Sequence, residues 1–333
     1  DPYFYLKKQI VSIALGFVAI IIILRYEYIE LSRYSWFLYG FSVILLVLVL
    51  VFGEEVRGTT GWISFGPLPA VQPAEFTKIL LILAFADFLN NRKGEMDTLA
   101  QMLPCFAYIG LPFILIMMQP DLGTALVYIA ITLVMMYVAG ANPKILLTLL
   151  FSGVLLTVLL FFAHVELGLP LPLEDYQIKR LVVFLDPYND GQGGRGPGWN
   201  TIQSLVAIGS GGLAGKGLFN GTQVQLNFIY AVIGEELGFL GAAFVIILYG
   251  VLILRAINIS YNAKELYGTL VVLGITAMWL FHIFESIGMA IGLMPVTGIP
   301  LPFLSYGGSS MLTNLIAVGI ILSVNIRGRK IVF

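Results

Sequence analysis

Along the chain, apolar residues come in nine long runs separated by short polar connections and one long one. The runs lie at roughly 10–24, 35–52, 75–90, 103–118, 122–139, 145–163, 229–254, 269–293 and 309–326. A helix needs about 20 apolar residues to cross a bilayer, and fewer when interfacial residues help. Backbone groups in lipid must pair within their own segment, so each run is predicted as a helix. Pro104 and Pro112 predict bends in the fourth run. Gly and Pro otherwise gather in the connections. The connection from about His164 to Phe228 holds Pro, Gly, Asp and aromatic residues but no run of transmembrane length. It is predicted as one long loop, of a kind that is usually functional or disordered. Paired broken helices would leave matching interruptions in both halves. The Pro-Gly punctuation at 292–302 has no such partner.

Composition agrees with the pattern. Of 333 residues, 59% are hydrophobic and 11% charged, and mean hydropathy is +0.93. A soluble protein of this size could not hide so much apolar surface, so lipid must be the solvent for most of it. The expected fold class is all-α and polytopic: a single integral membrane domain over residues 1–333, with the loop 164–228 outside the membrane. A net charge of −1 supplies no bulk basic field for nucleic acid. Cys105 is the sole cysteine, cannot form an internal disulfide, and reads as a small packing residue.

Lys and Arg set the orientation. Arg25, Arg33, Arg92, Lys93, Lys144, Arg255, Lys264, Arg327, Arg329 and Lys330 all fall on one side. The other side holds Lys7, Lys8 and Arg57 in short loops, and Lys179, Arg180, Arg195 and Lys216 in the long one, where the rule carries little weight. The first side is expected to be cytoplasmic, and the C-terminus with it. Nine spans then place Asp1 outside, which one further helix ahead of Asp1, making ten, would explain.

The polar residues inside or beside the runs carry the chemistry. Glu75 and Lys78, in QPAEFTK, share a helix face at the outer end of the third span. They either pair to ease two charges into the interface or form a polar site facing a cavity, since ionisable groups in a bundle are costly and often mark sites. Asp121, in QPDLGT, is by itself a turn or N-cap aspartate. Glu75, Lys78, the long loop, Glu235 and Glu236 on the same side strengthen a functional reading. GSGGLAGKG fails the phosphate-loop pattern, because Ser210 stands at the first glycine and Gly217 follows the lysine. Lys216 among these glycines could still contact a lipid diphosphate; a flexible solvated loop is the equal alternative. His282 and Glu285 are too few ligands for a metal and are predicted as a buried hydrogen-bonded pair. LMPVTGIPLPFLSYGGSSMLTN, which contains Ser305, joins the last two spans as a stiff re-entrant-like turn. Such backbone must be buried in protein or line a wet cavity.

QPAEFTK, MMQPDLGTA, IQSLVAIGSGGLAGKGLFNGTQ, AVIGEELG and GMAIGLMPVTGIPLPFLSYGGSS occur in this order and span most of the chain. Together they resemble the SEDS proteins (shape, elongation, division, sporulation), and GTQVQL is similar to the rod-shape branch more than to the division branch. The resemblance implies ten transmembrane helices and a glycosyltransferase that polymerises lipid II outside the cytoplasmic membrane. It also implies a class B penicillin-binding protein as partner, which crosslinks the glycan strands, and a catalytic aspartate on the long loop just ahead of the EELG helix. Here Phe228 runs straight into Ile229, and a short run of the family's residues has no counterpart. Either a segment is missing from this sequence, or the deletion is natural and the protein inactive; a missing first helix favours the former. Asn227 would cap the helix acceptably in either case. Ser286 stands where the family often has Asn.

Such a transfer releases a lipid diphosphate. The acceptor hydroxyl needs a general base within hydrogen-bond reach, which the resemblance assigns to the missing aspartate, so no catalytic residue is named in this chain. Charge builds on the leaving group, where cations, backbone amides or a divalent ion should be aimed. Lys78, Arg180 and Lys216 are the candidate cations. Glu75, Asp121, Glu235 and Ser305 complete the candidate substrate-binding set, and no cofactor is certain. Lys78→Ala and Asp121→Ala are each expected to reduce lipid II polymerisation without loss of folded protein. A flippase or transporter of the lipid-linked precursor suits the same polar cavity and rigid turn, and a scaffold for the penicillin-binding partner is a third reading.

Overall fold

A computed structural model describes residues 4–56, 59–64, 70–168, 170, 175–188, 191–221 and 228–327. Asp1, Arg57, the junction 222–227 with Asn227, Arg329 and Lys330 lie outside the described residues. Each of the nine apolar runs is helical: α1 Phe4–Ile23, α2 Ser35–Phe52, α3 Pro73–Asn90, α4 Leu99–Met117, α5 Leu122–Val138, α6 Pro143–Leu167, α9 Ile229–Tyr261, α10 Leu266–Ala290 and α11 Gly308–Arg327. A 3-10 helix, Tyr28–Tyr34, leads into α2. By length and composition, seven of the described helices could cross a membrane: α1, α2, α4, α6, α9, α10 and α11. α5 is apolar but shorter, and α3 carries Glu75, Lys78 and Asp87.

The long connection is not one loop. It holds α7 (Asp175–Leu185) and α8 (Trp199–Gly211). Both are too short to register as spans. In α8 the buried stripe is Thr201, Ser204, Ala207 and Gly211, while Leu205 and Val206 face outward. That inverts the usual amphipathic pattern, so apolar periodicity does not reveal which face packs. Ser204 Oγ donates to the Ala290 carbonyl at 2.6 Å and fixes α8 to the end of α10.

α3 and α10 form the centre of the bundle. α10 packs on α3, α5 and α9, α2 packs on α3, and α1 lies along α11. The most apolar stretch of α10 is 67% buried, against 6% for α6, which therefore packs little against the rest of the bundle. Between helices in lipid the hydrophobic effect contributes little, so association rests on close packing and interhelical hydrogen bonds. Thr77 and Tyr128 hydroxyls meet at 2.7 Å between α3 and α5. Trp279 Nε1 donates to Asn314 Oδ1 at 2.7 Å between α10 and α11.

Contacts between connections define the two ends. At one end Ser35 meets Asp87, the Asn142 amide donates to the Met96 carbonyl at 3.1 Å, and Tyr28 stacks on Tyr267. Arg327 closes this end, donating to the Leu24 carbonyl at 2.5 Å and to that of Tyr26, two of the carbonyls left over after α1. At the other end, β1 (Glu54–Val56) and β2 (Thr59–Trp62) form a short antiparallel hairpin, extended by an Ile63–Val71 bridge. Sequence reading missed this hairpin because its strands are three and four residues long.

α9 is broken at Gly238, whose φ of 67° and ψ of −166° leave the helix. Helix backbone freed in this way must find other partners. The α8–α9 connection supplies them: Phe239 N donates to Gly212 O (2.9 Å), Leu240 N to Leu213 O (3.2 Å), Lys216 N to Glu235 O (3.0 Å) and Gly217 N to Glu236 O (3.0 Å). The glycine-rich stretch is thus pinned across the break by its own backbone, in place of the flexible loop left open above. A Cβ on Gly238 would lie 2.3 Å from Gly215 N, and this part of backbone space is essentially reserved for glycine. Gly238→Ala is expected to cost roughly 2–4 kcal/mol from strain and overpacking. It should show as a clear drop in melting temperature in detergent; an unchanged melt would contradict the pinned break.

Candidate functional site

Pro73 starts α3, where its missing N–H costs nothing. One turn later Lys78 Nζ donates to Glu75 Oε1 at 2.6 Å, with both side chains buried. Lys78 Nζ also lies 3.1 Å from His282 Nε2, and His282 Nδ1 lies 3.3 Å from the Pro300 carbonyl. A carbonyl can only accept, so Nδ1 carries the proton and Nε2 accepts from the lysine. Three separate parts of the chain, α3, α10 and the 291–307 connection, are locked together by this row. His282 and Glu285 are both buried, as expected, but they do not bond each other. Glu285 Oε1 instead accepts from Thr297 Oγ1 at 3.1 Å, and its Oε2 has no partner among the described residues. Residues three apart share a helix face, but α10 is enclosed on several sides, and here each finds a different neighbour.

Above this row lies a cavity of about 290 Å³, with Gln72, Glu75, Asp121, Arg180, His282 and Thr297 in its wall. Trp62 of the hairpin also lines it. Asp121 caps α5: its Oδ1 accepts from the Thr124 amide at 2.9 Å and its Oδ2 from the Thr124 hydroxyl at 2.7 Å. Gly123 lets the start of α5 press against the opposite wall, where a Cβ would lie 2.8 Å from Ile299. Arg180 comes from α7 and donates through Nη1 to the Thr297 carbonyl at 3.4 Å. The cavity thus sets two carboxylates, Glu75 and Asp121, together with a permanent cation, Arg180. Chemically it can hold a polar ligand that carries both hydroxyls and an anion.

Four other candidate residues, Lys78, Lys216, Glu235 and Ser305, are not among those lining the cavity. Lys216 pairs with buried Glu235 at 2.6 Å, on the pinned break of α9. Ser305 closes the turn 301–305, accepting from Leu301 N at 2.8 Å while its own amide donates to Leu301 O at 3.0 Å. Lys78 sits behind the wall, its side chain 1% exposed. The helix cap before Ile229 is Phe228, with no side-chain hydrogen bond. Gln72, Trp62 and Thr297 were not anticipated; only the stiff 291–307 turn gave a signal for Thr297. Among the described residues no group of three His, Cys, Asp or Glu is placed to hold a metal ion. Cys105 is free and buried.

A sequence model of the cell cycle protein family that joins FtsW, RodA and SpoVE matches residues 1–330. Stage V sporulation protein E of Bacillus subtilis is 37% identical, covering 98% of this chain and 88% of that protein. A probable peptidoglycan glycosyltransferase FtsW of Trichlorobacter lovleyi is 36% identical over 98% and 84%. Peptidoglycan glycosyltransferase RodA of Treponema pallidum is 34% identical over 96% and 89%. The Bacillus alignment runs over 335 residues while using 98% of a 333-residue chain, so that relative carries residues with no counterpart here. Among solved structures, a chain described in terms of the structural coordination of polymerization and crosslinking by a peptidoglycan synthase complex superposes with a TM-score of 0.82. It has 32% identity over 98% of this chain and 90% of that one. The rod shape determining protein RodA of Thermus thermophilus gives 0.72 and 29% over 99% and 90%.

Proposed function

Because the chain belongs to the FtsW, RodA and SpoVE family of cell cycle proteins, we infer that it is a peptidoglycan glycosyltransferase and propose that it polymerises lipid II at the cavity lined by Glu75, Asp121 and Arg180. The observation that carries the proposal is the meeting of two carboxylates and a guanidinium in one cavity, at the end of the bundle covered by the long connection. In this reading Arg180 receives the diphosphate, whose charge grows as its bond to the sugar breaks. The free edge of the cavity carboxylates orients the acceptor sugar. Lys78, backed by His282, holds Glu75 in place from behind the wall. The proton of the attacking hydroxyl needs an acceptor. Between Lys216 and Glu235 the sequence holds no acidic residue, so the aspartate that the family resemblance implies has no counterpart here, and no residue is assigned that step.

The basic residues at the opposite end argue that the cavity end is extracytoplasmic and the C-terminus cytoplasmic, in a bacterial cytoplasmic membrane. The likeness to a chain from a peptidoglycan synthase complex supports a class B penicillin-binding protein as partner. Identities of 37%, 36% and 34% to SpoVE, FtsW and RodA do not separate the branches; GTQVQL favours the elongation role.

The test is purified protein in liposomes given lipid II and no other polymerase. Glycan strands support the proposal. Lipid II redistributed between leaflets without glycan would instead support the flippase. Asp121→Ser, which keeps a capping oxygen but removes the charge, is expected to melt within a few degrees of the parent and still polymerise several-fold more slowly. A rate equal to the parent's would reduce Asp121 to a helix cap.

A further inference from the structure

A second hollow, of about 320 Å³, lies at the opposite end of the bundle, between the start of α2, the end of α3 and the middle of α4. Nothing in the transfer chemistry uses it. Trp36, Phe88 and Tyr108 supply aromatic faces, with ring centroids 6.4 Å apart for Trp36 and Tyr108 and 4.5 Å for Phe88 and Tyr108. Asp87 supplies a carboxylate whose Oδ2 accepts from Ser35 Oγ at 2.7 Å, while its Oδ1 has no hydrogen-bond partner among the described residues. Arg92 holds its guanidinium 4.9 Å over the Phe88 ring and makes no side-chain hydrogen bond or ion pair among the described residues.

Each feature selects a chemical group. Aromatic faces beside a carboxylate suit an ammonium. A guanidinium whose donors are unused suits a phosphate. Trp36 is 75% exposed at the first turn of α2, and Arg92 follows the end of α3. Tryptophan and arginine at helix ends mark the headgroup level of a bilayer. We propose that this hollow binds the headgroup of a phospholipid bearing a phosphate and a primary ammonium, the phosphate on Arg92 and the ammonium between Asp87, Trp36 and Tyr108. A headgroup with negative charge alone would meet Arg92 but also face Asp87, so it is disfavoured. A quaternary ammonium would keep the aromatic contact but could not donate to Asp87.

The experiment is native mass spectrometry of the purified protein titrated with phosphatidylethanolamine, phosphatidylglycerol and phosphatidylcholine of matched chains, with free O-phosphoethanolamine as a separate arm. The expected result is retention of phosphatidylethanolamine with about tenfold preference over the other two lipids. Asp87→Asn, which keeps the Ser35 bond, should erase the preference, and Arg92→Gln should lower phosphatidylethanolamine occupancy about tenfold. Trp36→Leu, at a 75% exposed position, should weaken retention as well. Equal binding of all three lipids, or a preference unchanged in Asp87→Asn and Trp36→Leu, overturns the proposal. Binding of free O-phosphoethanolamine as strong as that of the intact lipid overturns its assignment to the bilayer.

Discussion

Lys78→Ala is expected to destabilise the protein by about 3–5 kcal/mol, as well as to stop polymerisation. From the sequence alone this variant should stay folded and merely polymerise more slowly. Burial reverses that order. The Lys78 ammonium is enclosed between Glu75 and His282. Removing it leaves the Glu75 carboxylate buried without its counter-charge and takes the donor away from His282 Nε2. An intact buried pair adds little net stability, because desolvation offsets the attraction, whereas a half-broken pair is costly. The double variant Glu75→Gln/Lys78→Met removes both charges at similar volume and should recover most of the lost melting temperature in detergent. It should remain inactive, because the cavity has lost one of its two carboxylates. A Lys78→Ala protein that melts like the parent would show that the pair is solvated and the enclosed row wrong.

Arg180→Ala should act chiefly on the rate, slowing polymerisation about 10²–10³-fold, the scale for loss of one aimed donor at developing charge. Its Nη1 bond to the Thr297 carbonyl is long, 3.4 Å, so that bond is a weak one. Its place on the cavity wall gives it access to the leaving diphosphate. Arg180→Lys keeps the charge but loses the planar fork that grips two phosphate oxygens, and should fall between. The readout is the initial rate of glycan formation by protein of verified fold. An Arg180→Ala rate within a factor of two of the parent's would move the diphosphate elsewhere.

The nine apolar helices, seven of them long and apolar enough to cross a membrane, were legible because lipid imposes one rule on every backbone group, and long apolar runs satisfy it in one way only. α7 and α8 escaped for the opposite reason. They are short, and α8 packs through Thr201, Ser204, Ala207 and Gly211 while presenting Leu205 and Val206 outward. The break in α9 was hidden because Gly238 sits in an otherwise helical sequence; only the backbone donors and acceptors of 212–217 show why it forms there. At the site, charge and sidedness brought Glu75, Lys78, Asp121 and Arg180 to one face. Sequence could not say which cations reach the cavity. Lys216 is held by Glu235 and Lys78 by Glu75 and His282, while Arg180 arrives on α7, an element not foreseen. Ser305 looked like a ligand residue and instead closes a turn.

The most direct test is site-directed photocrosslinking to lipid II. A benzophenone side chain at Gln72, on the cavity wall, should capture the substrate. The same group at exposed Asn220, beside Lys216, should capture little or none. This measures where the substrate sits and does not depend on turnover. Strong capture at Gln72 with little at Asn220 is the result predicted; strong capture at Asn220 with none at Gln72 would contradict the account.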